Sequence, residues 1–289
     1  MSLAGRLKLL ANRLGRPLNL RLDSLTAERA ESARLAELER GGRFTRAVFP
    51  VLPAFAASNP APVFAAIAAA AERFARFAQP ARDGQGFSLD NHYYTTPDAE
   101  VLHAMVQLHR PRLIVEVGSG NSTLLFRQAV TDAGLAAQIV SIDPEPRRDI
   151  LTQTDVAVRE RVEAGGAREW FARLQAGDIL FIDSSHEVKT GNDVLFLFFE
   201  VLPALPPGVI VHIHDIFLPY EYPRAWVMDE RWGWTEQYLV QALLQGSHHW
   251  EVLWAGHYLQ RTRPDFITHF RHWRGWDARS LWLRRTSQP

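Results

Sequence analysis

Four short apolar segments of the sequence are separated by stretches of helical pattern, and this alternation constrains the fold more than any other feature. The segments are 113–117, 139–142, 179–182 and 209–213. Each is a buried-strand pattern, and two further strand patterns follow at 251–254 and 280–283. Strands that alternate with helices predict a parallel sheet covered by helices on both faces. Ligands of such sheets bind at the carboxyl ends of the strands.

The first part of the chain has a different pattern. Residues 23–88 indicate helices broken by loops, including an alanine-rich helix that starts after Ser58 to Pro62. The segment Pro80 to Gly86 is rich in turn-forming residues and is typical of a linker. We therefore predict a helical region over residues 1–88 and a second domain over residues 89–289.

Composition excludes several classes of protein. The chain has 289 residues with 32 basic and 32 acidic side chains, so its net charge is zero. A general nucleic-acid binder needs a basic surface, and we expect no nucleic-acid partner. The chain has no cysteine, which excludes disulfide scaffolds, cysteine nucleophiles and iron–sulfur sites.

Residues 1–22 carry five basic side chains and no acidic one. Leu3, Leu7, Leu10 and Leu14 recur at helical spacing. Two interpretations stay open: a basic amphipathic helix that lies on an anionic membrane, or a helix packed on its own domain or on a partner subunit. The segment has no uninterrupted apolar core and no small-residue cleavage site, so we expect a cytoplasmic protein. Oligomerisation stays open.

A glycine-containing loop follows the first predicted strand. A dinucleotide site favours G-x-G-x-x-G, but Thr123 stands where the third glycine belongs. Glu116 would repel a phosphate and suits a ligand with positive charge. Asp143 ends the next strand, where a carboxylate can accept hydrogen bonds from both hydroxyls of a ribose. A nucleoside with a cationic tail satisfies both acids, and S-adenosylmethionine is such a ligand.

The chain resembles the class I S-adenosylmethionine-dependent methyltransferases over roughly residues 90–289. Three motifs in family order carry the resemblance: Val115 to Thr123, Ser141 to Glu145, and Gly177 to His186. The resemblance implies a Rossmann-like sheet of seven strands with the last strand antiparallel, extended here by the N-terminal helices. It also implies that the cofactor lies over Gly118 and Gly120. The predicted cofactor-binding residues are Glu116, Gly118, Ser119, Gly120, Ser122, Thr123, Asp143 and Asp183.

Acids and histidines also follow the later strands. Asp183 and His186 come after one strand, and His214 and Asp215 end the next. This arrangement is similar to the metal-dependent O-methyltransferases, including those that act on antibiotic sugars. The resemblance implies that Asp183 and Asp215 hold magnesium and that His186 is the general base. His214 departs from the family pattern, in which a carboxylate is usual, so the metal could be magnesium, manganese or another ion, or absent.

The sequence thus predicts an S-adenosylmethionine-dependent methyltransferase that methylates a hydroxyl of a small molecule such as a sugar or glycosylated metabolite. We assign catalysis to His186 and Asp183, and metal binding to Asp183, His214 and Asp215. Three alternatives remain: a metal-independent N-methyltransferase, a metalloenzyme of other chemistry that uses the same acids and histidines, and a cofactor-binding scaffold that docks through residues 1–22.

Overall fold

The computed structural model describes residues 3–79 and 86–287. The chain divides into two compact units, one of residues 1–46 with 223–231, and the other of residues 47–222 with 232–289. All but the last residue of the predicted linker lies outside the described residues. The division into domains at residue 88 therefore stays a prediction.

Helices and strands alternate through the second unit as the sequence predicts. The elements of both units are numbered in chain order, and the helices within residues 1–46 and 223–231 belong to the first unit. The helices are α1 Leu3–Gly15, α2 Thr26–Arg40, α3 Pro53–Ala57, α4 Ala61–Phe74, α5 Asp98–His109, α6 Asn121–Asp132, α7 Arg168–Ala172, α8 Asp193–Phe196, α9 Leu202–Ala204, α10 Arg224–Met228, α11 Glu236–Gln245 and α12 Gly256–Thr262. The strands are β1 Leu113–Val117, β2 Gln138–Ile142, β3 Val156–Val158, β4 Ile179–Ile182, β5 Ile210–Ile213, β6 Trp250–Ala255 and β7 Leu281–Arg285. A π-helical turn, Leu197–Val201, joins α8 to α9.

The strands form one seven-stranded sheet in the order β3–β2–β1–β4–β5–β7–β6. The first five strands are parallel, and β7 runs antiparallel to both of its neighbours. This is the sheet that the methyltransferase resemblance implies, so the predicted fold class is confirmed. The order reverses between β1 and β4, which places the end of β1 at the crevice where open α/β sheets bind ligands.

Alternate residues of the central strands enter two separate apolar cores. In β4, Leu180 and Ile182 pack in one core, whereas Ile179 and Phe181 pack in the other. Because successive side chains of a strand point to opposite faces, both faces of the sheet are covered. The central strands are therefore mostly apolar, with Glu116, Ser141 and His212 as buried polar exceptions, and further polar residues follow the strands at their carboxyl ends.

Two observations complete the fold. The edge strand β3 was absent from the sequence-based prediction; it is three residues long and only half-buried. Among the residues that the structure describes, no helix has both the length and the apolar character that crossing a membrane requires.

Candidate active site at the carboxyl edge of the sheet

The loop after β1 begins with a glycine that no other residue can replace. Gly118 has a φ of +84°, in the left-handed region that L side chains rarely adopt. A Cβ atom at this position would lie 1.8 Å from the carbonyl oxygen of Asp183. Gly118 therefore lets the loop after β1 pack directly on the backbone at the end of β4.

Glu116 supports this loop from beneath. Its side chain is fully buried and accepts hydrogen bonds from the hydroxyls of Ser122 at 2.7 Å, Thr123 at 2.5 Å and Ser141 at 3.1 Å. Ser141 lies opposite Glu116 in the register of β1 and β2. Burial raises the pKa of Glu116 to about 7, although the three hydroxyl hydrogen bonds oppose the rise.

This network assigns the side chains of Ser122 and Thr123 to the loop itself. Thr123 also accepts a hydrogen bond from the backbone N–H of Gly120 at 3.0 Å. Both residues were predicted to bind the cofactor, and the structure places their hydroxyls on Glu116 instead of leaving them to face a ligand. They hold the start of α6 and the glycine loop in one conformation.

Other atoms of the loop are left available for a ligand. Asp143 accepts hydrogen bonds from the backbone N–H groups of Ser119 at 2.7 Å and Glu145 at 2.8 Å, which fixes its carboxylate beside the loop. The hydroxyl of Ser119 is buried and has no partner among the described residues. A Cβ atom on Gly120 would meet nothing within 4 Å. A buried polar atom without a partner beside open space fits a ligand that has close contact with the backbone.

His186 stands among three carboxylates at the ends of β4 and β5. Its Nδ1 lies 2.9 Å from Glu236 Oε2, and its Nε2 lies 3.2 Å from Asp183 Oδ1. The same Nε2 is 3.7 Å from Asp215 Oδ2. The structure therefore brings together Asp183, His186 and Asp215, three of the residues that the sequence predicts to act together.

The backbone holds two of these residues in an unfavourable conformation. His186 and Asp215 have φ values of +59° and +56°, which are uncommon for residues other than glycine. The carbonyl oxygen of His186 accepts hydrogen bonds from the N–H groups of Thr235 and Glu236, at 2.8 and 3.0 Å. The start of α11 thus fixes the loop that carries His186. Such local strain is typical of functional sites.

Interactions with neighbouring ionisable groups outweigh burial in setting the pKa values of His186 and Asp183. Burial alone would lower the pKa of His186, but hydrogen bonds to Asp183 and Glu236 and the charge of Asp215 hold it well above its usual range. Burial would raise the pKa of Asp183, but the nearby rings of His214 and His186 hold it below its usual range. Burial raises the pKa of Glu236 despite the opposing effect of His186.

Sequence reasoning did not identify Glu236. It lies 50 residues after His186, at the start of α11, and no local motif marks it. Its other oxygen, Oε1, is buried without a hydrogen-bond partner among the described residues.

The cluster around His186 offers a defined set of ligand atoms for a metal ion. Among the described residues, one group of three has ligand atoms within 4.8 Å of one another: Asp183, His186 and Asp215. His214, which the sequence predicts to be a ligand, lies outside this group. Its ring packs beside Tyr94 at 5.0 Å and beside His212 at 5.4 Å. His212 is fully buried and stacks on Phe181 at 4.0 Å, as expected of a structural residue.

Aromatic rings border the cluster on one side. Trp234 lies 4.3 Å from the His186 ring, and Trp232 stacks on Trp234 at 4.7 Å. Trp232 is 41% exposed, so the pair connects the buried histidine to the protein surface. The sequence marks this region by its tryptophans.

The comparison with known families agrees with this geometry. Residues 115–216, from β1 to just beyond β5, match the family model of a methyltransferase domain. The part of the chain that carries the glycine loop and the His186 cluster is therefore similar to a methyltransferase domain. No curated protein sequence matches this chain significantly.

Solved structures similar to this chain are distant in sequence. The O-methyltransferase TomG from Streptomyces achromogenes, involved in tomaymycin synthesis and solved with S-adenosylmethionine, is 18% identical, with a TM-score of 0.43. That match covers 77% of this chain and 90% of TomG. Podospora anserina PaMTH1, solved with S-adenosylhomocysteine, is 15% identical over 93% of this chain and 98% of its own, with a TM-score of 0.41. An O-methyltransferase from Bacillus cereus, also solved with S-adenosylhomocysteine, is 14% identical over 76% and 91%, with a TM-score of 0.40.

Proposed function

We propose that this chain is a class I methyltransferase, which transfers a methyl group from S-adenosylmethionine to a hydroxyl oxygen of a small molecule, such as a sugar or a glycosylated metabolite. One observation carries the proposal: His186 is held between Asp183 and Glu236 just after β4. The loop that contains Gly118 packs on the backbone of the same Asp183. A proton acceptor and a cofactor loop thus meet at one point of the sheet edge.

The cofactor site consists of the loop after β1 and the carboxylate after β2. S-adenosylmethionine, when bound, supplies an electrophilic methyl group on a positively charged sulfur that leaves as a neutral thioether. Gly120 lets the backbone approach it closely, Gly118 lets the loop pack on the end of β4, and the hydroxyl of Ser119 offers a hydrogen bond that no described residue satisfies. Asp143, already fixed by two backbone N–H groups, accepts hydrogen bonds from the ribose hydroxyls through its remaining lone pairs. Glu116, Ser122 and Thr123 act indirectly, by shaping the loop.

Nε2 of His186, the ring nitrogen that faces Asp183 and Asp215, removes the proton from the acceptor hydroxyl when the ring is neutral. Although burial opposes them, the surrounding carboxylates hold the pKa of His186 above its usual range, so the neutral ring, and with it methyl transfer, is favoured at alkaline pH. Glu236 is a positioning residue. Its contact with Nδ1 fixes the orientation of the ring and stabilises the positive charge that the ring gains. The leaving thioether is neutral, so the site needs no oxyanion hole. Orientation of the hydroxyl and acceptance of its proton are the main requirements.

A divalent cation fits the same cluster. Asp183 and Asp215 provide the oxygen ligands that magnesium and manganese prefer, and they would hold the cation while Nε2 of His186 remains the proton acceptor. The carboxylates of Asp183 and Asp215 face the same ring nitrogen of His186, and Arg279, 3.5 Å from the other oxygen of Asp215, offsets part of their charge. Such a divalent cation, when bound, would lower the pKa of a coordinated hydroxyl.

The stacked pair of Trp232 and Trp234 supports an acceptor with a flat or sugar-like face. Aromatic rings bind the apolar faces of sugars, and indole N–H groups donate hydrogen bonds. Trp234 lies against His186, so an acceptor resting on this pair has its hydroxyl near the proton acceptor.

The test is a methyl-transfer assay with isotopically labelled S-adenosylmethionine and a panel of sugars, glycosides, phenols and amines. The account expects a methyl ether as product, formed by wild type and by the surface variant His248→Gln but not by His186→Gln. Repeating the assay with a chelator and then with added magnesium or manganese tests the metal separately. Transfer only to amines, or equal activity of His186→Gln, would contradict the proposal.

A further inference from the structure

The first 25 residues expose an unusual amount of apolar surface. Eight leucines of this segment are between 53% and 72% exposed, and we call them the N-terminal leucine surface. They are Leu7, Leu9, Leu10, Leu14, Leu18, Leu20, Leu22 and Leu25. Single exposed leucines are ordinary, but a run of eight in one segment indicates a surface that contacts something else.

The segment has a defined local structure that turns its polar side chains inward. After α1 the chain reverses at Asn19, where φ is +54°. Asn12 then exchanges two hydrogen bonds with the backbone of Leu22, at 2.9 and 2.5 Å. Lys8 forms an ion pair with Asp23. Lys8 and Asn12, one turn apart on α1, thus bind the returning chain.

The leucines of α1 consequently point away from these contacts. Leu7, Leu10 and Leu14 share a helix face roughly opposite Lys8 and Asn12, because a residue advances about 100° around the helix. In an ordinary amphipathic helix of a globular domain, the apolar face is covered and the polar face is exposed. Here the apolar face is the exposed one.

Charge identifies the kind of partner. Residues 1–25 contain five basic residues and one acidic residue, whereas the rest of the chain has four more acidic than basic residues. The single acid, Asp23, is neutralised by Lys8 and Arg21, and this pairing lowers its pKa to about 2. Arg6, Arg13 and Arg16 have no acidic partner among the described residues and are exposed. The segment therefore carries a net positive charge in a protein whose overall net charge is zero.

We infer that the N-terminal leucine surface lies on an anionic lipid surface. Leucines on one helix face enter the boundary between head groups and acyl chains, while the flanking arginines meet lipid phosphates. Pairing with a second copy of the same surface would bring two positive segments together. Nucleic acid would leave the leucines in water. A lipid surface satisfies both the apolar side chains and the charge.

The test is flotation of the full-length protein with phosphatidylcholine vesicles that contain or lack phosphatidylglycerol. We expect binding to the anionic vesicles alone, weakened by salt. Two arginine replacements, Arg13→Gln with Arg16→Gln, should lower the partition coefficient roughly 30-fold, from about 1 kcal/mol for each basic residue near an anionic surface. Leu10→Ser with Leu14→Ser should lower it more than about 10-fold, because these side chains lose their apolar contact with lipid.

Matched variants in the other unit separate this effect from general changes of charge or hydrophobicity. Leu151, which is 60% exposed, provides the control Leu151→Ser, and Arg110→Gln with Arg274→Gln is the control for charge. Both controls should bind vesicles as wild type does. Each variant is also titrated with S-adenosylhomocysteine, so that loss of folding or of the cofactor site is recognised independently.

Three results would overturn the inference. One is the absence of flotation with anionic vesicles, and another is equal flotation of the leucine variant and wild type. The third is a concentration-dependent dimer of the wild type, measured by analytical ultracentrifugation, that the leucine variant does not form, together with no binding of the wild type to vesicles. That result would assign the N-terminal leucine surface to a second copy of the chain.

Discussion

The two halves of the site, one after β1 and β2 and one after β4 and β5, hold buried carboxyl groups in opposite ways. Glu116 is surrounded by hydroxyls and no cation, and burial raises its pKa to about 7. Asp183 faces histidine rings, and they hold its pKa below the usual range although burial opposes them. Burial is therefore not what separates the two acids. The partner decides whether a carboxyl group supports a loop or carries charge for chemistry.

The backbone shows the same contrast. After β1, the left-handed conformation falls on Gly118, where it costs nothing. After β4 and β5 it falls on His186 and Asp215, where side chains make it unfavourable. In the function proposed above, the first half is a relaxed support for the cofactor, whereas the second half keeps His186 and Asp215 in an unfavourable backbone conformation beside the acceptor.

The largest expected effect comes from breaking the contact between the two halves. Gly118→Ala would place a methyl group against the Asp183 carbonyl and should lower the free energy of unfolding by at least about 4 kcal/mol. Gly120→Ala is the matched control, because a Cβ atom there meets no described atom within 4 Å. It should fold normally and yet bind S-adenosylhomocysteine weakly. Chemical denaturation and calorimetric titration measure the two effects, and equal stability of the two variants would contradict the packing argument.

Removing the proton acceptor should affect the second half alone. His186→Gln is expected to lower kcat by about a hundredfold to ten-thousandfold, the usual contribution of general base catalysis, while binding of S-adenosylhomocysteine is retained. Steady-state kinetics on an accepted substrate measure the loss. His248→Gln, at an exposed histidine, controls for a general effect of the substitution. A variant that retains full kcat would remove His186 from the mechanism.

The pH dependence of the free energy of unfolding should reveal the raised pKa of Glu116, in the first half of the site. Glu116 has a pKa of about 7 in the folded protein and about 4.5 when unfolded, so the folded state retains a proton that the unfolded state releases. The contribution of Glu116 to stability therefore falls as the pH rises from about 4.5 to 7 and is constant above that. Glu116→Gln cannot release a proton and should gain up to roughly 3 kcal/mol relative to wild type between pH 5 and 8.

Denaturant titrations of both proteins at several pH values provide the measurement for Glu116. A difference that does not change with pH would mean that Glu116 is already charged in the folded protein. The two halves of the site would then not differ in how they hold their buried carboxyl groups.

The smallest expected effect concerns the acceptor. Trp232→Ala should raise KM roughly 3- to 10-fold with little change in kcat, because one stacked aromatic pair contributes about 0.5–1.5 kcal/mol beyond its burial. Tyr238, an aromatic residue 38% exposed, provides the control Tyr238→Ala. A fall in kcat without a change in KM would show that Trp232 supports His186 through Trp234 and does not contact the acceptor.

Much of this fold was predictable, because its strands are buried on both faces and their carboxyl ends carry polar residues. The runs that became β1, β2, β4 and β5 are apolar for this reason, and Asp143, Asp183 and Asp215 follow three of them. The strand β3 was not predictable in the same way. It lies at the edge of the sheet with half-exposed residues, so burial imposes no distinct pattern on it.

The site was predictable only where the chemistry follows a strand directly. His186 and Asp215 are close in space because β4 and β5 are neighbours. Glu236 reaches His186 from a helix start 50 residues away, a contact that no local spacing encodes. The sequence also did not predict the hydrogen-bond network around Glu116. An acid beside a glycine loop indicates a ligand-binding residue, and only the structure shows that three neighbouring hydroxyls bind this carboxyl group. The direction of the His214 ring depends on packing against Tyr94, which the sequence does not show.

The central claim is that cofactor binding belongs to the first half of the site and proton transfer to the second. Calorimetric titration of wild type, Gly120→Ala and His186→Gln with S-adenosylhomocysteine, with and without magnesium or manganese, tests it most directly. The account predicts saturable binding by wild type and His186→Gln, and strongly weakened binding by Gly120→Ala. Absence of binding by wild type under all conditions, or a loss caused by His186→Gln but not by Gly120→Ala, would contradict it.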